Sequence, residues 1–387
     1  MPVSKNIIIL LFIFFGLGGC IEPFTPNIDL SEESLVIEGQ ITDQAGYHYI
    51  HISRTAPYND PHKIPKPDCQ VEVVDNYGNI FEFYESDSGV YRQWLPQDFL
   101  NIGTQYKVKV ITADEKKYES DFDELLSPSP PIDNLYYEIE ERETYVPDNP
   151  IYGIQFYIDV DAPDDFARNY RWELEETWEY EAGYRIQYYY DGTIPPHEID
   201  DPFFLFRCWS TEPIRKIYTS TTRYSATNTI NKFPLQYVSN QSNRLKIKYS
   251  LLVKQYSLSN TAYDYWFEVQ KQSQESGGLY ETQPARIRGN ISNVNDQEEL
   301  VLGFFHASSV TQKRIFISEP FDFRINDANC NLEIITRSSQ LRRYSLYPVY
   351  LISLNPLGVG LPYGVGYGTC FDCRKGGGKT EIPYFWE

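Results

Sequence analysis

The sequence predicts a mainly β protein: an N-terminal immunoglobulin-like β-sandwich followed by a larger β-rich domain with one notable helix. Three observations predict it. Aromatic residues make up 16% of the 387-residue chain, with 33 Tyr, 22 Phe and 6 Trp, and such side chains suit a pleated, half-buried surface. Apolar and polar residues alternate with period two in many short runs separated by turn residues. Only one segment carries helical periodicity. The apolar fraction of 41% is enough to fill cores, and the length suits about two domains. A formal charge of −20, with no basic run to offset it, repels phosphate backbones and argues against nucleic acid as a partner.

The first element is an export signal over 1–19. Lys5 precedes the apolar run Ile7–Leu17, which as a helix spans about 16 Å against a bilayer core of about 30 Å, so it is too short to cross. Leu17-Gly18-Gly19-Cys20 then resembles a bacterial lipobox, which makes Cys20 the expected lipid-attachment residue and new N-terminus. Lipid chains on that Cys would hold the protein on a membrane. Ile21 after the Cys, where an Asp resembles an inner-membrane retention signal, favours the outer membrane, facing either the periplasm or the surface. Residues 20–34 read as a tether of at most about 45 Å.

The sandwich is expected over 35–122. Leu35, Ile37 and Ile41, then Cys69, Val71 and Val73, then Tyr106, Val108 and Val110 take the inward positions of about seven strands. Gly103-Thr104-Gln105-Tyr106 resembles a tyrosine corner, although a plain core Tyr fits as well. Cys69 is expected as a free thiol in this core. Pro128, Pro130 and Pro131 mark a linker over 123–132.

In the C-terminal domain, 133–387, residues 169–190 read as a long hairpin turning near Ala182-Gly183, with Tyr170, Trp172, Leu174, Trp178 and Tyr180 on one face and Tyr184, Ile186, Tyr188 and Tyr190 returning beside them. Core strands and exposed aromatic platforms share this alternation. Core is expected for Trp172 and Leu174, with any interface confined to the tip between Tyr180 and Tyr184. A helix is expected over Thr261–Glu275, with Thr261 and Asp264 as a capping pair and Gly277-Gly278 as the stop.

Chemistry-bearing motifs are sparse. Cys370-x-x-Cys373 lies between Gly-rich runs rather than at the start of a helix, and only five His are available to complete a zinc site. Structural disulfides are expected instead, with Cys208 and Cys330 each reaching one member of the Cys370/Cys373 pair. Gly376–Thr380 imitates the end of a phosphate loop, but Cys373 stands where its first Gly belongs and Pro383 forbids the following helix. His48 and His51 fall on opposite faces of one strand. Asp159, Asp161, Asp164 and Asp165 read as a solvated turn rather than a calcium loop. The sequence thus supplies no catalytic set, no metal ligands and no cofactor motif.

Leu35-Val-Ile-Glu-Gly39, Cys208-Trp-Ser-Thr-Glu212, Tyr249–Ser259, Ala262-Tyr-Asp-Tyr-Trp266, Gly289-Asn-Ile291, Lys313–Ile317, Cys370–Arg374 and Pro383–Trp386 together resemble a family of Bacteroidota lipoproteins, domain of unknown function 4249. A departure from the family pattern is Gly303-Phe304-Phe305, where the resemblance implies Gly-Tyr-Phe. The resemblance implies an outer-membrane lipoprotein, often encoded beside a TonB-dependent transporter, with no activity to carry over. The expected function is a non-enzymatic accessory or ligand-binding module working with such a transporter in nutrient capture or envelope assembly, with a glycan or peptide as ligand. A glycan- or peptide-acting hydrolase with dispersed carboxylates and a structural envelope protein without a ligand are the alternatives.

Overall fold

The computed structural model describes residues 33–56, 62–144, 150–275, 287–318, 320–326 and 330–386. Cys20, the signal segment and most of the tether lie outside the described residues. Among those described, no helix is long and apolar enough to cross a membrane.

The first sandwich is built from β1 (Leu35–Thr42), β2 (Gly46–Arg54), β3 (Ile64–Pro65), β4 (Gln70–Asp75), β5 (Ile80–Asp87), β6 (Val90–Leu95), β7 (Gln105–Ile111), β8 (Lys117–Ser120) and β9 (Asp123–Glu124). β5 pairs with both β6 and β4, so one curled sheet supplies both layers. Ile37, Ile50 and Tyr91 from one layer meet Val71, Val73, Val108 and Val110 from the other, because the period-2 pattern turns these side chains inward. Tyr106 forms the tyrosine corner: its hydroxyl donates to the carbonyl of Phe99 and accepts the amide of Asn101. Cys69 is free but only half-buried, packed against the rim of this core rather than inside it.

The second core lies between a three-stranded sheet, β10 (Asn134–Arg142), β11 (Ile151–Ala162) and β16 (Asn228–Ser239), and the long strands β12 (Asn169–Glu181), β15 (Arg207–Thr221) and β17 (Lys248–Ser257). Ile154, Phe156, Ile158 and Val160 face Tyr170, Trp172, Leu174, Tyr249, Leu251 and Val253. A third, smaller sheet joins β13 (Tyr188–Tyr190), β14 (His197–Glu198), β21 (Glu333–Ile335), β22 (Val349–Ser353) and β23 (Tyr363–Val365). The helix α1 runs Asn260–Glu275. Ser259 caps it by accepting the amide of Ala262 at 3.1 Å, whereas the expected cap partner Asp264 pairs with Arg223.

The two cores are not separate along the chain. β18 (Ile291–Asn293), β19 (Val301–Leu302) and the start of β20 (Phe305–Ile317) return to the first sandwich, placing Ile291, Val301, Phe305 and Ala307 in its core. β20 runs parallel to β1 from Gly39↔Phe305 to Thr42↔Ser308, then antiparallel to β17 from Ser257↔Ser309 to Tyr249↔Ile317. One strand therefore stitches both halves into a continuous sheet in the order β15-β12-β17-β20-β1-β2-β6-β5. The first sandwich is not closed by residues 35–122, because its edge strand β1 would otherwise leave a row of unpaired backbone groups. Glycine makes the crossing possible: Gly303 has φ +89°, and a Cβ there would sit 2.1 Å from the carbonyl oxygen of Ile37.

The Pro-rich segment is not a solvated linker. Asp123–Glu124 pairs with β7 as β9, Leu125 is buried, and Pro130 presents its carbonyl to Gln255 Nε2 at 2.8 Å. Proline run carbonyls lack neighbouring amide donors, and side chains of β17 meet them instead.

The expected hairpin is also different. β12 pairs with β15 and β17, not with residues 184–190, which enter the third sheet. β12 ends at Glu181, and Gly183 just beyond it leaves room for a disulfide: a Cβ there would lie 2.5 Å from Cys330 Sγ.

Candidate functional site

Two places were open to a functional role: the tip of β12, expected from sequence, and the outer face of the continuous sheet. The structure closes the first. Cys208 is bonded to Cys373 and Cys330 to Cys370, the pattern in which each distant Cys takes one member of the Cys-x-x-Cys pair. This double link folds the C-terminal loop over the tip. Tyr180 is 5% exposed, donating its hydroxyl to the Cys373 carbonyl at 2.7 Å and accepting the Gly378 amide at 2.9 Å. Tyr184 is half-buried against Phe371. Both serve the disulfide knot, so neither is an exposed interface residue. Trp172 is core, its ring 4.6 Å from Phe233 and its Nε1 donating to Gln255.

The second place is a groove of about 550 Å³ on the outer face, above the β20 seam. Five strands and the helix line it: Glu38 and Gln40 from β1, Tyr47, Tyr49 and His51 from β2, His306 from β20, Tyr256 from β17, Arg171 and Glu173 from β12, and Trp266 from α1. Each of the strand residues points outward for the same reason that Ile37, Ile50, Phe305 and Trp172 point inward, since neighbours along a strand take opposite faces. The helix crosses this face because Tyr256, Leu258, Ala262, Tyr263 and Phe304 form a small apolar cluster beneath it. Its Trp266 stacks over the Arg171 guanidinium at 3.7 Å, and Glu173 fixes Arg171 at 2.7 Å while accepting the Tyr256 hydroxyl at 2.9 Å. A second groove of about 330 Å³ shares Arg171, Glu173 and Lys254 and continues toward β15 past Pro213–Ile217.

The groove floor is unusual in its polar satisfaction. His306 is 2% exposed and neither ring nitrogen has a hydrogen-bond partner; Trp266 Nε1 is buried and also unpartnered. Burial, reinforced by the charge of Arg171, pushes the His306 pKa down to about 3, so the ring is neutral, with one donor and one acceptor to offer. An unpaired buried polar group costs about 1–3 kcal/mol, and natural cores rarely keep three such atoms together without a use. Below the seam, Asp123 accepts the Ala307 amide at 2.9 Å, and burial lifts its carboxyl to about 6.

Beyond the groove the same face stays aromatic and open. Tyr47 (54% exposed), Tyr49 (42%), Trp94 (53%) and Tyr84 (61%) form a strip over β2, β6 and β5, with Tyr47 edge-on to Trp94 at 5.3 Å and Arg92 over the Tyr47 ring. The cross-strand register places Tyr47 opposite Trp94, and Arg92 opposite both Tyr49 and Tyr84. Sequence reading missed this strip and the groove. The available signal was Tyr47 and Tyr49 alternating against Ile50 and Ile52, a polar-aromatic face opposite an aliphatic one.

His48 is buried beside Thr42, and although alternation along β2 separates it from His51, both residues border the groove. Three of the four carboxylates of the acidic turn are engaged: Asp159 accepts the Lys232 amide, Asp161 the Thr229 hydroxyl and Asp164 the Arg168 guanidinium. Lys379, in the phosphate-loop look-alike, bridges to Trp209 as extended backbone. Among the described residues no group of three or more His, Cys, Asp or Glu is placed to hold a metal ion.

Fold and site together define a mainly β protein with two sandwich cores stitched by one strand and a solvent-facing groove over the stitch. The chain belongs to the family described as domain of unknown function DUF4249, whose model matches residues 21–314. That span includes the seam, the groove and the aromatic strip, whereas the loop carrying Cys330, Cys370 and Cys373 lies beyond it. No curated protein matches the chain.

Proposed function

We propose that this protein is a lipid-anchored, non-enzymatic outer-membrane module that holds a ligand in the seam groove, and that it cooperates with a TonB-dependent transporter in nutrient capture or envelope assembly. The observation that carries the binding role is the groove floor, where His306 and Trp266 Nε1 are buried without partners beneath an opening lined by charged and aromatic side chains. Such a concave site with a few convergent polar groups suits a small ligand or one segment of a larger one. The lipobox ending in Cys20 supports anchoring, and the family resemblance supports the transporter.

Affinity purification of the lipidated protein from its own membranes tests the cooperative role. A stoichiometric TonB-dependent transporter in the eluate is the expected result. A lone protein that hydrolyses glycan or peptide would contradict it. Replacing Cys20→Ser is expected to release the protein from membranes, because no other segment of the sequence is long or apolar enough to hold it. Retention of that variant with no partner present would contradict anchoring at Cys20.

A further inference from the structure

We infer that the ligand is a neutral oligosaccharide that lies across the strands, its ring faces on the Tyr47–Trp94–Tyr49–Tyr84 strip and one of its residues seated in the groove over His306. This inference rests on the binding role proposed above and gives that site its substrate class. Four features of the face point to it.

The strip and groove are continuous, because Tyr47 and Tyr49 belong to both. From Tyr84 on β5 to Arg171 on β12 the face crosses seven adjacent strands, about 29 Å at the ~4.8 Å spacing of neighbouring strands. That length accommodates a chain of several sugar rings rather than one. Exposed Tyr and Trp rings on a sheet face offer apolar faces to the C–H faces of pyranoses while keeping a polar edge in water.

The site sits over the middle of the sheet. The β1, β2, β6, β17 and β20 backbones beneath it are already laddered to one another, so an extended peptide would find no main-chain partners there. A ligand recognised only through side chains meets that constraint. Hydroxyl groups, each a donor and an acceptor, match the neutral His306 ring, the Trp266 Nε1 donor and the paired Arg171 and Glu173.

The charges lining the groove balance. Two carboxylates, Glu38 and Glu173, stand with two cations, Arg171 and Lys254, and His306 is neutral. In a protein of formal charge −20, a groove without net charge neither repels nor traps ions. The fixed, mutually compensated planar groups of Arg171 and Glu173 make a hydrogen-bonding wall for an uncharged polyol.

The test uses the full lipidated chain in a non-glycosidic detergent, titrated calorimetrically with cello-, malto-, xylo-, β-1,3-gluco- and chito-hexaose, with hexa-alanine and an oligogalacturonate as comparison ligands. Saturable binding of at least one neutral hexaose, weakened about tenfold or more by Trp94→Ala and by Tyr49→Ala, is the expected result. Both side chains are exposed, and an unchanged melting temperature in each variant shows that the loss is not unfolding. Binding of none of these hexaoses at about 1 mM, binding indifferent to both variants, or preference for the peptide or the acidic glycan overturns the inference. Cleavage of a bound hexaose would support the ligand class while overturning the non-enzymatic reading, and a co-purifying transporter without any sugar binding would leave that reading standing while overturning the inference.

Discussion

At its two ends, the strand β12 presents aromatic and charged residues to opposite fates. Near Glu181 the disulfide loop folds over it, and Tyr180 is buried with its hydroxyl both donating and accepting. Near Asn169 the outer face stays open, and Arg171 and Glu173 line a groove whose floor keeps His306 and Trp266 unpartnered. The two ends read alike in sequence. What separates them is chain that arrives some 200 residues later: two disulfides cover one end, and only a single helix stands beside the other. Alternation states which side chains share a face. It does not state which face is later covered.

Breaking the covered end should have the largest effect. Removing the Cys208–Cys373 bond by double substitution to Ala is expected to cost up to about 5 kcal/mol from the denatured-state entropy of a loop of 165 residues, against about 4 kcal/mol for the 40-residue Cys330–Cys370 loop. Urea denaturation of the two double variants checks the order; a larger cost for the shorter loop would show that the account of the knot is wrong. Next, Trp172→Ala should cost about 3–5 kcal/mol, because the side chain is 1% exposed and its loss also strands the Gln255 carbonyl. Trp94→Ala, with the same residue type on an open face, should change stability by no more than about 0.5 kcal/mol. Equal melting temperatures for the two variants would erase the distinction between core and strip.

At the seam, Gly303→Ala should cost at least about 2 kcal/mol, since it places a Cβ at positive φ against the Ile37 carbonyl. An unaffected variant would show that β20 does not approach β1 this closely.

Two buried groups at the seam give stability a pH dependence. His306, with a folded pKa near 3 against an ordinary 6.5, takes its proton more readily when unfolded. Its contribution is therefore full above pH 6.5 and falls by about 1.4 kcal/mol per unit as pH drops toward 3. Asp123, raised from 3.8 to about 6, runs the other way: its contribution is full below 3.8 and is lost as pH rises through 6. Between pH 4 and 6 the two slopes offset each other. Asp123→Asn should uncover the His306 slope across that window, read as a falling urea midpoint, and a flat profile in that variant would contradict the buried, neutral imidazole.

Much of this was legible in sequence where the determinants are local. The strands of the first sandwich follow from Leu35, Val71, Val108 and their alternation. The tyrosine corner was readable because Tyr106 reaches back only to Phe99. The helix was placed to within one residue of its start, and Cys208 and Cys330 each take one member of the Cys370/Cys373 pair as expected, although which takes which was open until the fold was known. The seam was not legible. The β1–β20 pairing joins residues about 266 positions apart with no turn between them to signal it, and parallel strands leave no hairpin signature. The proline segment misled because a run of Pro reads as a linker unless one knows that Gln255 donates to its Pro130 carbonyl from within the core. The strip was missed because Trp172 and Trp94 look alike until the three-stranded sheet covers one of them.

Oxidative footprinting of Tyr47, Tyr49 and Trp94 by hydroxyl radicals, in intact cells and on the isolated protein, tests the claim that the open face is the working face most directly. Tyr77 and Tyr224, 75% and 86% exposed elsewhere on the surface, serve as internal references. The three strip residues are expected to react readily in isolation and to be protected in cells while the references react alike in both. Equal reactivity of strip and reference residues in cells and in isolation would contradict that claim.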